Sequence, residues 1–470
     1  MEQRTKLNEA IIELVHQFES NDPRGEIRFL GEERILDIIN YYEQDEQWEK
    51  AMEVVEIAIG KHKYQVEFYL AKGRLLLRMG DLEEANQILR KAESLAPTEI
   101  EIVILRSLIL CEQEQYEDAL QQLQDYKVIA DSPQHTRLLI CEAYVYEHMK
   151  DFDFMFFTLK EALAQDPRNI EALEKMWVSV ELSKRYEESL VFHRQLIDID
   201  PYSQHAWYNL GHAYTCLGEY PEAINALEYA FLIDDRYEIA YRDCVELYIQ
   251  IQEYQKAISL FHEIISKFGV EVETLVQLSE CHIHLKQYHK AKKILMKAAK
   301  MDPFNDEIFY FLGLCFIHEE KWHYALNALS RATDIEDSRE EYQVQLAFCY
   351  WKTGNLRKAS KHFKEAIRIT PEDTSNWVEY LDFLVHTNQL ENAMKTLNKA
   401  ENYTVDTDLT YIRGAIHLLT GDRKEGIHLL ESALQEDVTN HEVVFRFNDD
   451  LRHDKEVSSM FRYYLEEQKK

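Results

Sequence analysis

Apolar residues recur three or four positions apart in stretches too short to be stable as isolated helices, and the stretches themselves repeat. The period shows in alanine, at Ala51, Ala85 and Ala119 and again at Ala223, Ala257, Ala291, Ala325, Ala359 and Ala393, each block in steps of 34 residues. Pro167, Pro201, Pro303 and Pro371 are spaced by multiples of the same 34. A period of about 20 to 50 residues is the mark of a chain built from stacked units, each unable to bury its apolar face alone.

Placing the alanine at position 20 starts the first repeat at Glu32 and the sixth at Gln204. Met155 and Ser189 then hold the alanine position in repeats four and five, after a two-residue insertion near Pro133. Glycine falls at position 8 in Gly73, Gly211, Gly313 and Gly414, inside the first helix, where it is tolerated if two helices approach closely. It falls at position 15 in Gly80, Gly218, Gly354 and Gly421, where a left-handed residue turns the chain between helices. Each repeat therefore reads as two helices of about 12–14 residues, with proline at position 32 ending it.

Repeat six shows the whole unit, with Trp207, Leu210, Gly211, Tyr214, Ala223, Leu227 and Ala230 at positions 4, 7, 8, 11, 20, 24 and 27. Repeat two is as clear, with Tyr69, Gly73, Leu76, Ala85, Leu89, Ala92 and Pro97. This set resembles the tetratricopeptide repeat (TPR) family over residues 32–440. The resemblance implies an all-α, right-handed superhelical solenoid of about twelve helix-turn-helix repeats. Residues 1–31 are expected to supply a capping helix, through Leu7, Ile11, Leu14, Val15 and Phe18 on one face, and 441–470 a degenerate repeat or cap with Phe447, Leu451, Met460 and Tyr464 inward. Trp177 at position 8 and Ser189 at position 20 of repeat five, with the longer turn before repeat four, predict an irregularity over residues 126–190.

The formal charge is -32, from 85 acidic and 53 basic side chains. It opposes a nucleic-acid backbone or an anionic membrane surface as partner and keeps a long molecule soluble. The seven cysteines include no CxxC and lie in apolar helical patterns, which predicts buried, reduced thiols. No continuous apolar run reads as a signal peptide or membrane span, so the expected location is cytoplasmic.

In the TPR family the first helices line a concave groove through positions 2, 5, 9 and 12. Carried onto this chain, the resemblance selects Glu174 and Glu181 in repeat five, Tyr208 and His212 in repeat six, and Arg242 and Glu246 in repeat seven. It adds Glu280 in repeat eight, Tyr310 in repeat nine, and Phe348 and Trp351 in repeat ten. Acids alternate there with aromatic and aliphatic surface, which would suit a protein or peptide with basic groups beside apolar anchors. The acids at position 2 are better explained as solvated helix starts that favour the dipole, whereas Tyr208, Tyr310, Phe348 and Trp351 read equally as groove anchors or as ordinary exposed surface. Asn209 matches one position of the family's chaperone-tail clamp, but Glu174, Val178, Ile239 and Asp243 occupy the others and disfavour that ligand. Lys293, Lys297 and Lys300, with Lys361, Lys364 and Arg368, form outward basic stretches that read as solvated surface or as a dock for an acidic partner.

Phosphate-binding glycine loops, nucleophile elbows and HExxH are missing from the sequence. Cys281, His282, His284 and His289 are the best metal candidates, but His282 sits at core position 11 and His284 points elsewhere around the helix. The aromatics at position 17, from Tyr116 to Trp322, read as helix-turn packing, since a base-stacking platform needs interleaved cations. No cofactor, metal or catalytic residue is therefore predicted. The expected function is a non-catalytic interaction scaffold, with the regulatory arm of an enzyme complex or a helical-repeat RNA binder as alternatives.

Overall fold

The computed structural model describes residues 11, 12, 14–16 and 30–467, and every described element is helical. Successive helix pairs form two compact units, residues 1–247 and 248–470. In the first unit the pairs run from Glu32–Gln44 with Trp48–Lys61 to Gln204–Leu217 with Tyr220–Ile233. In the second they run from Val272–His284 with Tyr288–Met301 to Thr407–Thr420 with Arg423–Glu436.

The alanine ladder is the core seam, since Ala51, Ala85, Ala223, Ala291, Ala325, Ala359 and Ala393 are all fully buried. Opposite it, the glycines of position 8 bring the two helices of a pair together. A Cβ at Gly211 would stand 2.9 Å from Leu227 Cγ and 3.2 Å from the Ala223 carbonyl. Position 4 locks successive repeats, because Trp207 Nε1 donates to the Pro201 carbonyl at 3.0 Å and Trp377 Nε1 to that of Pro371 at 2.8 Å.

The inter-helix turn is more uniform than its residues. Position 15 has positive φ not only at Gly80, Gly218, Gly354 and Gly421 but at Glu46, Glu114, Lys150, Lys184, Gln252, Lys286, Glu320 and Asn388. A side chain in that region is strained. Lys286→Gly and Glu320→Gly are each expected to raise stability by about 0.5–1 kcal/mol in thermal or denaturant unfolding.

The insertion near Pro133 does not lengthen a turn. It extends the first helix of repeat four to Ser132–Met149, because the Asp131 side chain accepts from the Gln134 N–H and Pro133 falls in the first turn, where no N–H is needed. In repeat five the two helices do pack loosely. Ile170–Ser183 lies chiefly on Phe152–Gln165 and Gln204–Leu217 and touches its own partner, Tyr186–Ile199, far less. Trp177 cannot occupy a glycine's place, and its ring turns to His212 at 5.4 Å. Position 24, a core leucine in repeats two, six and nine, is His193 here. It is fully buried, and its Nδ1 lies 3.0 Å from Ser189 Oγ and 2.9 Å from the Ser189 carbonyl.

Val15 packs into the first repeat with Ile35, Ile38 and Tyr42, with Ile11 and Leu14 at the edge; Leu7 and Phe18 lie outside the described residues. At the other end a short helix, Val443–Phe447, a 3-10 turn, Asp449–His453, and a helix, Lys455–Glu467, close the second unit. Phe447, Leu451, Val457 and Phe461 are buried there, whereas Met460 and Tyr464 are only partly so.

Candidate functional site

In the second unit the first helices of repeats eight, nine and ten converge on a concavity of about 600 Å³. Position 2 supplies Glu273, Glu307 and Glu341, position 5 Val276 and Tyr310, position 9 Glu280 and Leu314, and position 12 Ile283. Gln277 and Phe311 at position 6, His284 at position 13 and Arg339 at the end of repeat nine complete the lining. These four lie outside the positions chosen from sequence. Position 6 could have been added from helix geometry alone, since it lies four residues after position 2 and three before position 9 and so shares their face.

Tyr310 is half-buried, stacked on Tyr342 with centroids 4.7 Å apart. Burial pushes its hydroxyl up to about 12, and Glu341 and Glu280 add to the shift, so it is a neutral donor at physiological pH. Arg339 is engaged by Glu307 at 3.0 Å, Asp306 at 3.5 Å and Glu341 at 3.9 Å. The remaining carboxylates, Glu273 and Glu280, leave the surface net negative. Glu280 has His284 3.7 Å away, and that ring lies flat on Tyr254 at 4.5 Å.

Phe348 and Trp351 do not line this concavity. They belong to an adjoining aromatic run in which Trp322 meets Phe348 at 6.0 Å, Phe348 meets Trp351 at 6.1 Å and Trp351 meets Phe383 at 5.6 Å. Lys352 stands over both central rings, 5.1 Å from Phe348 and 5.2 Å from Trp351. Both rings remain half-buried.

Of the candidates in the first unit, Glu174, Glu181, Tyr208, His212 and Arg242 are engaged within the protein. Glu174 reaches His205 at 3.5 Å and Glu181 reaches His212 at 3.9 Å. Burial holds both imidazoles below the usual histidine range, and each neighbouring carboxylate pulls the other way. Tyr208, expected on the groove surface, is enclosed: 3% exposed, its ring edge on Tyr237 at 5.5 Å and its hydroxyl hydrogen bonded to Asp243. Arg242 donates to Glu238, one turn back on its own helix, and Glu246 is exposed.

Cys281, Cys315 and Cys349, spaced by 34 residues, are fully buried. Burial pushes each thiol up to about 12. Cys216 departs from the expectation of buried thiols: it is exposed, with its Sγ 3.9 Å from His212 Nδ1 one turn back. His282 turns inward to Gln287 Oε1 at 3.0 Å, away from His284. Lys293, Lys297, Lys300, Lys361, Lys364 and Arg368 are all exposed. Position 17 opens the second helix of each pair, and at Tyr254 and Tyr288 the ring stacks on position 13 of the next repeat, His284 at 4.5 Å and His318 at 3.6 Å. Among the described residues no helix is long and apolar enough to cross a membrane.

Paired helices in a fixed register, presenting first-helix side chains to a concavity, define a helical-repeat protein. Family comparison gives the kind of repeat. Tetratricopeptide repeat profiles match residues 66–99, 206–229, 272–305 and 340–373, three of them starting on position 1 of repeats two, eight and ten. The chain is a tetratricopeptide repeat protein. Among curated proteins no match is found. Among solved structures it is similar to a tetratricopeptide repeat protein from Parabacteroides merdae ATCC 43184, with 16% identity, 55% of this chain and 99% of that one covered, and TM-score 0.44. It is similar to yeast Tom70, with 16% identity, coverage of 91% and 98%, and TM-score 0.41. YrrB, described as a TPR protein with an unusual peptide-binding site, is 17% identical, with coverage of 42% and 97% and TM-score 0.34.

Proposed function

We propose that this protein is an interaction scaffold whose repeats eight to ten bind a protein segment carrying basic side chains beside apolar ones. The observation that carries the reading is the convergence of Glu273, Glu280, Glu307 and Glu341 with Tyr310, Phe311 and Leu314 on one concavity. Half-buried aromatic and aliphatic groups supply area that loses water on contact, and the carboxylates select partner sign and register. Arg339 sits among them already neutralised, so an incoming cation meets Glu273 and Glu280 first. Phe348 and Trp351 extend the apolar surface for a longer segment.

The test is affinity capture with mass spectrometry, comparing the parent with Tyr310→Ala combined with Glu280→Lys. Helicity is expected to be retained, and because Tyr310 packs on Tyr342 the double variant should melt somewhat lower, so capture is compared at a temperature where both proteins are fully folded. Capture of the partner should fall by about tenfold or more, the loss of one aromatic anchor and one charge contact. Equal recovery by parent and double variant refutes the assignment.

A further inference from the structure

The second helices carry opposite charge in the two units. In repeat eight the second helix, Tyr288–Met301, holds five lysines and no acid. In repeat ten, Leu356–Ile369 holds five cations and one acid, Glu365, which is bonded to Arg368 at 2.6 Å. Arg357, Lys358, Lys361 and Lys364 line a recess of about 850 Å³ with no carboxylate in its walls. The second helix of repeat nine, between them, adds Arg331 and Asp334. Lys293, Lys297, Lys300 and Lys361 are exposed and have no ion pair among the described residues. This face therefore keeps a net positive charge in a chain with 85 acids and 53 bases. Met296 and Tyr324 stand exposed on it.

Repeats five and six present the opposite surface. Between their second helices, Tyr186–Ile199 and Tyr220–Ile233, lies a recess of about 450 Å³ with Ile197, Trp207, Leu210 and Tyr229 in its walls and Asp198 and Glu222 beside them. Trp207 and Tyr229 are stacked at 4.6 Å, and Tyr229 is 53% exposed. Val191, one turn before Arg194, and Leu232, one turn after Tyr229, are also exposed and widen the apolar area. Arg194, which lines the recess, donates to the Tyr214 hydroxyl. Glu188 is taken by Lys160 at 2.8 Å and Arg185 at 3.2 Å. Glu187, Asp198 and Glu222 are exposed and have no ion pair among the described residues.

We propose that the protein associates with itself, the second-helix face of repeats eight to ten of one copy seating on that of repeats five and six of another. Each face offers exposed apolar side chains among charges of one sign, and the signs are opposite. Both are built on the same helix of the repeat at the same 34-residue interval, so lysines of one copy meet acids of the other repeat by repeat. A polyanion would neutralise the lysines but leave Tyr229, Val191 and Leu232 in water, whereas a second copy covers both faces. The contact is heterologous, since it joins two different patches. It spans only two or three helices a side, so a dissociation constant of about 1–100 μM is expected.

The experiment is sedimentation velocity of the full chain from about 1 to 200 μM, which brackets that range. The weight-average mass should rise above that of the monomer with concentration and fall back with added salt, which screens exposed charge. Lys293→Glu, Lys297→Glu and Lys361→Glu together should weaken association at least about tenfold, and so should Glu187→Lys, Asp198→Lys and Glu222→Lys together. Equimolar mixing of the two triple variants should restore it, because each supplies the native face that the other has lost. Misfolding would not be rescued in this way. Circular dichroism checks each variant, and if one unfolds the other decides. Glu280→Lys, in the concavity of repeats eight to ten, should leave association unchanged, so this proposal and the reading of that concavity fail separately. A monomer at every concentration overturns the proposal, as does association that survives either triple variant or does not return on mixing. Retention of RNA or of acidic peptides by a chain that stays monomeric also overturns it, and assigns the basic face to another partner.

Discussion

Gly313→Ala is expected to destabilise repeat nine by about 1–3 kcal/mol, whereas the same substitution at Gly60 should stabilise the protein by about 1 kcal/mol. Both glycines lie inside helices, so propensity favours alanine at each. Packing reverses the sign at Gly313. The added methyl would stand 2.6 Å from both Cγ and Cδ2 of Leu329, a fully buried side chain enclosed by Leu346 and Cys349. Cγ is not the free end of a flexible chain, so relief requires moving the helices apart. At Gly60 nothing lies within 4 Å of the added carbon.

A double-mutant cycle isolates the cause. Leu329→Ala alone opens a cavity costing about 2–5 kcal/mol, but it removes the atoms that a methyl added at Gly313 would strike. Gly313→Ala combined with Leu329→Ala should therefore cost less than the sum, by about 1 kcal/mol or more. Repeat arrays melt in sections, so hydrogen exchange of the amides in Asp306–His318 and Trp322–Ile335 is the informative readout. Additive effects, or stabilisation at both glycines, would show that close helix approach is not what holds glycine at position 8.

The repeat register is readable because three small-residue positions obey it, Ala at 20 and Gly at 8 and 15, and all follow from helix contact and turn geometry. The turn is less legible. Only four of its residues are glycines, and Glu, Lys and Gln at the same φ carry no turn signal because they are ordinary helix formers. The two extra residues near Pro133 suggest a longer turn, but Asp131, Ser132 and Pro133 spell a capped helix start, and it is the helix that lengthens. Tyr208 matched a groove position yet is enclosed, because Tyr237 and Asp243, in the following connection and helix, cover it. Arg74, Arg78, Arg137 and Lys175 occupy four different repeat positions yet line one recess. Their convergence depends on how successive pairs stack, which a column-by-column reading does not show.

His193 tests whether the departure of repeat five from the pattern has an energetic consequence. Its ring is fully buried, Nδ1 is taken by Ser189, and Nε2 has no hydrogen-bond partner. Burial lowers its pKa from 6.5 to about 4, with His212 nearby adding to the shift and the Ser189 carbonyl opposing it. The unfolded chain then binds more protons than the folded one between those values, so stability rises with pH in that window and is lost on acidification from 6.5 to about 4. The full shift corresponds to about 3 kcal/mol. His193→Gln keeps a polar partner for Ser189 and does not titrate. The stability of the parent relative to this variant, followed by thermal unfolding, should therefore fall by up to about 3 kcal/mol as the solution is acidified from neutral. Asp243 works in the opposite sense. Burial raises its carboxyl to about 6, so its contribution is present at low pH and is lost as pH rises through that value. Asp243→Asn should consequently gain on the parent as pH rises from 3.8 to about 6, and the gain should be constant above that. Parallel pH profiles for parent and His193→Gln would mean that water reaches the imidazole, and that the loose packing of repeat five opens its core.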